Sequence, residues 1–91
     1  SMTGQDVRYY ILFEDYTHGM ALHELMLADG VPHRIVPAPR SLQGEVSCGM
    51  ALLVNPEDIE AAKACIERHQ AVHHSIAALE GQIKPRRDRY C

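Results

Sequence analysis

A run of β-branched and aromatic residues, VRYYILF at positions 7–13, lies near the start of the sequence. It has the length of a β-strand and is apolar on both sides, whereas a strand with one face in water alternates between apolar and polar residues. We therefore predict a central strand of a sheet, which ends at the polar pair Glu14-Asp15.

A helix is predicted directly after this strand. Thr17 can cap its amino end, and Gly30 can end it in the left-handed conformation that glycine adopts without strain. The predicted apolar stripe consists of Ala21, Leu22, Leu25 and Ala28. Met20 and Leu27 lie on the other side, one heptad apart, and are either scattered surface residues or part of a surface that a partner or a second copy covers.

Two further strands are separated by a loop. The β-prone run VPHRIV at 31–36 is stopped by Pro37 and Pro39, because proline cannot donate to the hydrogen-bond ladder of a central strand. The segment RSLQGEVS at 40–47 has no helical period and contains a glycine, so we predict a loop. The run MALLV at 50–54 is an apolar strand, which we expect to pair with the strand at 31–36.

The second helix has a strong start signal. Asn55 can cap it, Pro56 suits its first position, and two carboxylates follow in the first turn. Its predicted apolar face consists of Ile59, Ala62 and Ile66, with Cys65 and His69 flanking that face. The segment AVHHSIAA at 71–78 alternates and is predicted to be the last strand.

The predicted order is strand, helix, strand, strand, helix, strand. Two right-handed β-α-β units of this kind fold into a ferredoxin-like α+β sandwich, with a four-stranded antiparallel sheet and both helices on one face. We expect one domain over residues 2–80. The stretch GQIKPRRDRYC at 81–91 has no apolar face, and we expect a flexible basic tail there.

The composition limits the functions open to a chain of 91 residues. A domain this small uses most of its apolar surface for its own core, so any site should be shallow. The formal net charge is -3 and only 5% of the residues are aromatic, which disfavours nucleic acid as a partner. The sequence has neither an apolar run long enough to span a membrane nor a signal-peptide pattern, and we expect a cytoplasmic protein that does not bind membranes.

Cys48 is the residue best placed for chemistry. Ser47-Cys48-Gly49 lies where the predicted loop enters a strand, and Gly49 would let backbone N–H groups turn towards the sulfur. Arg40, at the start of the same loop, could fold back and favour the thiolate, which is the reactive form of cysteine. We therefore expect Cys48 to be reachable by solvent, with Arg40 close to it. The simpler interpretation is a half-buried residue at the end of a strand, with no chemical role.

Several segments resemble the selenium/sulfur carrier protein-like family. The similarity runs through RYYILFE at 8–14, Thr17-His18, Gly30-Val31-Pro32, PAPR at 37–40 and SCGMAL at 47–52. The last two segments are its most specific parts, because their order and spacing are hard to obtain by chance. This sequence departs from the family in its histidine pair at 73–74 and in its basic tail.

The resemblance implies that Cys48 carries sulfur or selenium as a persulfide or selenosulfide, with Pro39, Arg40, Ser47 and Gly49 framing it. Such a protein would be a carrier between donor and acceptor proteins rather than a stand-alone enzyme, and it would need no cofactor. The alternative is a small binding, regulatory or oligomerisation module that recognises an anion or a partner protein, with Cys48 in a structural role.

The other cysteines have weaker signals. Cys65 lies at the rim of the apolar stripe of the second helix and is predicted to be a buried, inert thiol, whereas Cys91 is the last residue of the tail. Cys65, His69 and His73 follow one another at intervals of four residues, a spacing that would place three metal ligands along one helical face. The strand signal at Val72 interrupts that face, so we expect no metal site there.

Overall fold

The helices and strands follow one another in the predicted order. The computed structural model describes residues 7–44 and 48–80. These residues form strands β1 (Arg8–Leu12), β2 (Arg34–Pro37), β3 (Met50–Val54) and β4 (Ser75–Leu79), and helices α1 (Tyr16–Asp29) and α2 (Ile59–His69). Short 3-10 turns lie at Arg40–Leu42 and Pro56–Asp58. The tail expected at 81–91 lies outside the described residues.

The four strands form one antiparallel sheet in the order β2-β3-β1-β4. β1 pairs along both of its edges, so that Ile11 lies opposite Leu52 of β3 on one side and opposite Ile76 of β4 on the other. The prediction that VRYYILF is a central strand is thereby confirmed. This strand order with two crossing helices is the ferredoxin-like α+β fold that the sequence predicted.

The larger of two apolar clusters lies between the sheet and the helices. Every second residue of the central strands, among them Ile11 and Leu52, belongs to it together with residues of both helices. Its helical members are Leu22, Met26, Ile59, Ala62, Cys65 and Ile66. A smaller cluster of Tyr10, Leu12, Ala38 and Ala51 lies on the opposite face of the sheet. β1 therefore buries side chains on both faces, which explains why its sequence does not alternate.

The start and the buried face of α1 differ from the prediction. Asp15, not Thr17, is the N-cap, and its Oδ1 accepts a hydrogen bond of 2.9 Å from the backbone N–H of His18. The buried residues are Gly19, Leu22 and Met26, whereas the predicted stripe residues Ala21 and Ala28 are exposed. Burying the large side chain of Met26 removes more apolar area from water than burying either alanine would.

The possible partner surface on α1 is smaller than the sequence suggested. Met20 is half-buried and packs against the core, so that Leu27 alone of the two remains largely exposed. Whether a second copy covers this side of α1 stays a prediction.

Two strands begin later than predicted. β2 starts at Arg34 and includes Pro37, which is tolerated because β2 is an edge strand. The next backbone N–H, that of Ala38, points towards β3 and donates to the carbonyl of Gly49 at 2.9 Å. β4 starts at Ser75, since the N–H of Ala71 still donates to the carbonyl of Ile66 at the end of α2.

The two helices are short. α1 has 14 residues and α2 has 11, whereas a membrane-spanning helix needs about 20 apolar residues. Among residues 7–44 and 48–80, no helix combines the length and the apolar character needed to cross a bilayer.

Gly30 ends α1 as predicted, with a left-handed φ of 73°. Because a side chain is strained in that conformation, Gly30→Ala should lower the free energy of unfolding by about 1 to 2 kcal/mol. Gly44→Ala is the matched control, since Gly44 has no positive φ and no atom lies within 4 Å of the position of an added Cβ. Urea unfolding of both variants measures the difference, and equal stabilities would contradict the assignment.

Candidate functional site

The pairing of β1 with β3 brings two distant segments to one end of the sheet. Leu12 near the end of β1 lies opposite Ala51 near the start of β3. Residues that follow β1 therefore lie beside residues that precede β3, and α1 begins at the same place. Cys48 precedes β3 and is positioned by this register.

A surface cleft of about 510 Å³ opens at this end of the sheet, and we name it the Cys48 cleft. Among the described residues, its lining consists of Glu14, Asp15, Tyr16, Cys48, Gly49 and Met50. The cleft is open rather than enclosed, in keeping with the shallow site expected for so small a domain. A small reagent or the tip of a partner's side chain can enter such a cleft.

Cys48 is less exposed than the sequence led us to expect. Only 8% of its surface is accessible, and it belongs to the main core cluster. The residue is thus mostly buried, and the expectation that solvent can reach its thiol stays a prediction. Cys48 nevertheless borders the Cys48 cleft, so its exposed fraction faces a space that a partner can reach.

The other predicted site residues lie along the loop between β2 and β3. Pro39 precedes the 3-10 turn that starts at Arg40, and the hydrogen bond from Ala38 to Gly49 ties the two ends of this loop together. Arg40 is exposed and is not part of the described lining of the Cys48 cleft. Ser47 lies outside the described residues. The structure thus brings Cys48 and Gly49 together at the cleft, whereas the expected closeness of Arg40 to Cys48 stays a prediction.

Among the described residues, the charged groups that line the Cys48 cleft are carboxylates. Glu14 and Asp15 both border it, and Glu14 Oε2 lies 3.7 Å from His74 Nε2. Asp15 Oδ1 is engaged as the cap of α1. The described part of the lining therefore carries carboxylate groups but no cationic side chain.

Sequence reasoning missed Glu14, Asp15 and Tyr16 as site residues. Their signal is the polar break after the first strand, which by itself predicts only where that strand ends. Placing this break beside Cys48 requires the register between β1 and β3, which local patterns do not contain. Knowing that these two strands pair antiparallel would have been enough to predict that the polar break lies beside Cys48.

Two glycines near the cleft, Gly19 and Gly49, differ in how much room the structure leaves for a side chain. A Cβ on Gly19 would lie 3.2 Å from Met50 Cε and 3.2 Å from Phe13 Cδ2, so α1 packs closely against a wall of the cleft. Gly49 has no positive φ, and no atom lies within 4 Å of the position of its missing Cβ. Its backbone conformation does not demand glycine, and the absence of a side chain leaves the cleft open beside Cys48.

Cys65 has a different environment from Cys48. It is completely buried, as predicted, and burial together with a hydrogen bond to Asp29 raises the pKa of its thiol to about 11. Both cysteines are free thiols. At neutral pH the thiolate fraction of Cys65 is about a hundredfold smaller than that of an ordinary thiol.

Alkylation should separate the two thiols. In chelator-treated native protein at neutral pH, we expect Cys48 to react with iodoacetamide at least about tenfold faster than Cys65, because Cys48 borders an open cleft. Peptide mass spectrometry over time, repeated at urea concentrations below unfolding, measures both rates. The Cys48 rate should be insensitive to urea, whereas Cys65 should react only through opening of the fold.

The contrary result would be a Cys48 rate that rises with urea in parallel with that of Cys65. Such a result would mean that Cys48 is not reachable in the folded protein and that the cleft does not expose its sulfur.

Comparison with known proteins identified a family. A family model described as "Putative Se/S carrier protein-like" matches residues 8–78. The matched range includes Cys48 and the whole of the Cys48 cleft. A search of curated proteins found no match, and a search of solved structures also found none.

Proposed function

The chain belongs to the Se/S carrier protein-like family, and from that premise we propose that it carries a sulfur or selenium atom on Cys48 between a donor and an acceptor protein. The observation that carries this proposal is the position of Cys48 at an open cleft within the part of the chain that the family model matches. The cargo would be a persulfide, or a selenosulfide if the atom is selenium.

The transfer is an exchange between thiols. The Cys48 thiolate attacks the terminal sulfur of a persulfide on the donor, a new S–S bond forms on Cys48, and the donor leaves as a thiolate. The acceptor thiolate repeats this attack on the terminal sulfur that Cys48 then holds. Sulfur is passed on without net oxidation or reduction, so neither step needs an external oxidant or cofactor.

The separation of the two described thiols favours a carrier. Cys48 borders the cleft where α1 begins, and Cys65 hydrogen-bonds to Asp29, the last residue of α1. A helix of 14 residues is about 20 Å long, so Cys65 is too distant to attack a persulfide on Cys48. The cargo is thereby protected from release as an internal disulfide with Cys65.

The charges at the cleft favour a partner with a basic surface. Persulfides are anionic at neutral pH, and Glu14 and Asp15 do not neutralise them. Lysine or arginine side chains of a docked donor or acceptor would meet both carboxylates and also offset the charge of the cargo. The carboxylates would then select partners before transfer begins.

A second candidate function is a binding or regulatory module in which Cys48 is structural. The observation that favours it is the burial of Cys48, of which only 8% is exposed within the main core cluster. In that case the exposed loop at Arg40 would contact an anion or a partner protein. The loading experiment below distinguishes the two functions.

Loading should depend on one cysteine. We expect wild-type protein treated with a cysteine desulfurase and cysteine to gain one sulfur atom on the Cys48 peptide, and Cys48→Ser to gain none.

Cys65→Ala and Cys91→Ser should load and transfer normally, although the first removes a buried side chain and costs about 1 kcal/mol of stability. Arg40 lies outside the described lining of the Cys48 cleft, and we expect it to contact the cargo only after loading, so Arg40→Ala should load several-fold less stably.

Peptide mass spectrometry without reductant locates the added atom. Recovery of the complete Cys48 peptide without an added atom, under conditions that load a known carrier, would refute the carrier function and leave the binding module. Loading on Cys91 instead would make the tail the carrying segment.

Partner charge can be tested separately. Glu14→Gln combined with Asp15→Asn keeps a capping side chain at the start of α1 while removing both charges of the cleft. If basic partners dock there, this variant should receive sulfur several-fold more slowly at low salt and lose most of its salt dependence. Glu57→Gln is the control, since Glu57 is exposed and does not line the Cys48 cleft. A transfer rate equal to that of the control would refute docking through these carboxylates.

A further inference from the structure

Three potential metal ligands meet far from the Cys48 cleft, at the carboxyl ends of the two helices. They are Asp29, the last residue of α1, and Cys65 and His69 of α2. One ligand atom of each residue, a carboxylate oxygen, the thiol sulfur and an imidazole nitrogen, lies within 4.8 Å of the other two. Nothing in the carrier function uses these groups.

The helical geometry explains why they meet. Cys65 and His69 are four residues apart and therefore lie on the same side of α2, one turn above the other. Cys65 is completely buried and forms the floor of the cluster. The side chains of His69 and Asp29, which are 32% and 20% exposed, form its rim. The cluster is closed towards the core and open towards solvent.

In the structure, these side chains are joined by hydrogen bonds. Asp29 Oδ2 accepts a hydrogen bond of 3.0 Å from His69 Nε2 and a second one from Arg68 Nη1. The Cys65 thiol also donates to Asp29, and this hydrogen bond, together with the one from His69 and the nearby charge of Arg68, lowers the pKa of the Asp29 carboxyl. The Cys65 thiol and the His69 imidazole thus both direct a hydrogen at the Asp29 carboxylate. A cation bound by the same three ligand atoms would lie between them.

We propose that Asp29, Cys65 and His69 bind one Zn²⁺ ion, with a solvent molecule as the fourth ligand. The ion replaces the hydrogen atoms that Cys65 and His69 donate to Asp29. The Cys65 thiol proton goes to the buffer, and His69 stays neutral because its one ring hydrogen moves from Nε2 to Nδ1 when Nε2 binds the ion. Arg68 can keep its contact with the Asp29 carboxylate as an outer partner that orients this ligand.

The donor set selects the kind of metal. A thiolate with an imidazole and a carboxylate suits Zn²⁺, whereas Mg²⁺ and Ca²⁺ prefer oxygen ligands alone. In a tetrahedral zinc site the donor atoms lie about 3.5 Å apart. Small rotations of the partly exposed Asp29 and His69 side chains would bring the three donors to that separation.

The third ligand differs from the one that the sequence spacing offered. α2 ends at His69, where Gln70 adopts the left-handed conformation, so the helical face does not continue to His73. Among the described residues, the third group beside Cys65 and His69 comes from α1. A bound ion would therefore tie the carboxyl ends of α1 and α2 together and raise the stability of the fold.

The test uses the full chain with Cys48→Ser and Cys91→Ser, which leaves Cys65 as its one thiol. We expect this protein to bind one equivalent of Zn²⁺ in competition with a chromogenic chelator, with a rise in melting temperature. Co²⁺ should produce a thiolate-to-metal absorption band, which in this background can come only from Cys65.

Substitutions then assign the other two ligands. In the same background, Asp29→Asn and His69→Gln should each weaken Zn²⁺ binding at least about tenfold. Both positions face solvent, and far-UV circular dichroism checks that these variants fold. His73→Gln and His18→Gln are matched controls, and they should bind Zn²⁺ as the background protein does.

Two results would overturn the proposal. One is a folded single-thiol protein that binds no stoichiometric Zn²⁺ and shows no thiolate band with Co²⁺, in which case Asp29, Cys65 and His69 form a hydrogen-bond network only. The other is binding that survives Asp29→Asn and His69→Gln but is lost in a control variant, in which case the ion binds elsewhere.

Discussion

The double antiparallel pairing of β1 is the constraint on which the rest of this structure depends. Ile11 lies opposite a residue of β3 on one side and a residue of β4 on the other, so β1 fixes the register of the interior of the sheet. The same register brings Cys48 beside the residues that follow β1 and so creates the Cys48 cleft. A slip of one residue would turn Ile11 and Phe13 away from the helices and would dismantle both the core and the cleft.

The sequence predicts those features whose signals are local. The apolar run of β1 and the glycine at position 30 are local signals, and they predicted a central strand and the end of α1 correctly. The buried face predicted for α1 is wrong at Ala21 and Ala28, because burying the larger side chain of Met26 removes more apolar area from water. How deeply Cys48 is buried depends on packing between separate elements, and no pattern within the loop contains that information.

Helix α1 separates two thiols with opposite properties. Near its amino end, Cys48 borders a shallow cleft, which suits exchange with another protein. Near its carboxyl end, Cys65 is fully buried and hydrogen-bonded to Asp29, and its raised pKa makes it a poor nucleophile. The convergence of Asp29 and Cys65 was beyond sequence analysis, because it depends on how the carboxyl ends of the two helices pack together. The two described thiols of this small domain thus lie at opposite ends of α1.

Anomalous diffraction from crystals of selenium-loaded protein would test most directly whether Cys48 carries the cargo. Data collected at the selenium edge locate that atom without interference from the sulfur of methionine or cysteine. The carrier function predicts a single selenium peak at bonding distance from Cys48 Sγ, directed into the Cys48 cleft. A peak bonded to Cys65 or Cys91 instead, in protein whose mass includes one added selenium, would contradict it.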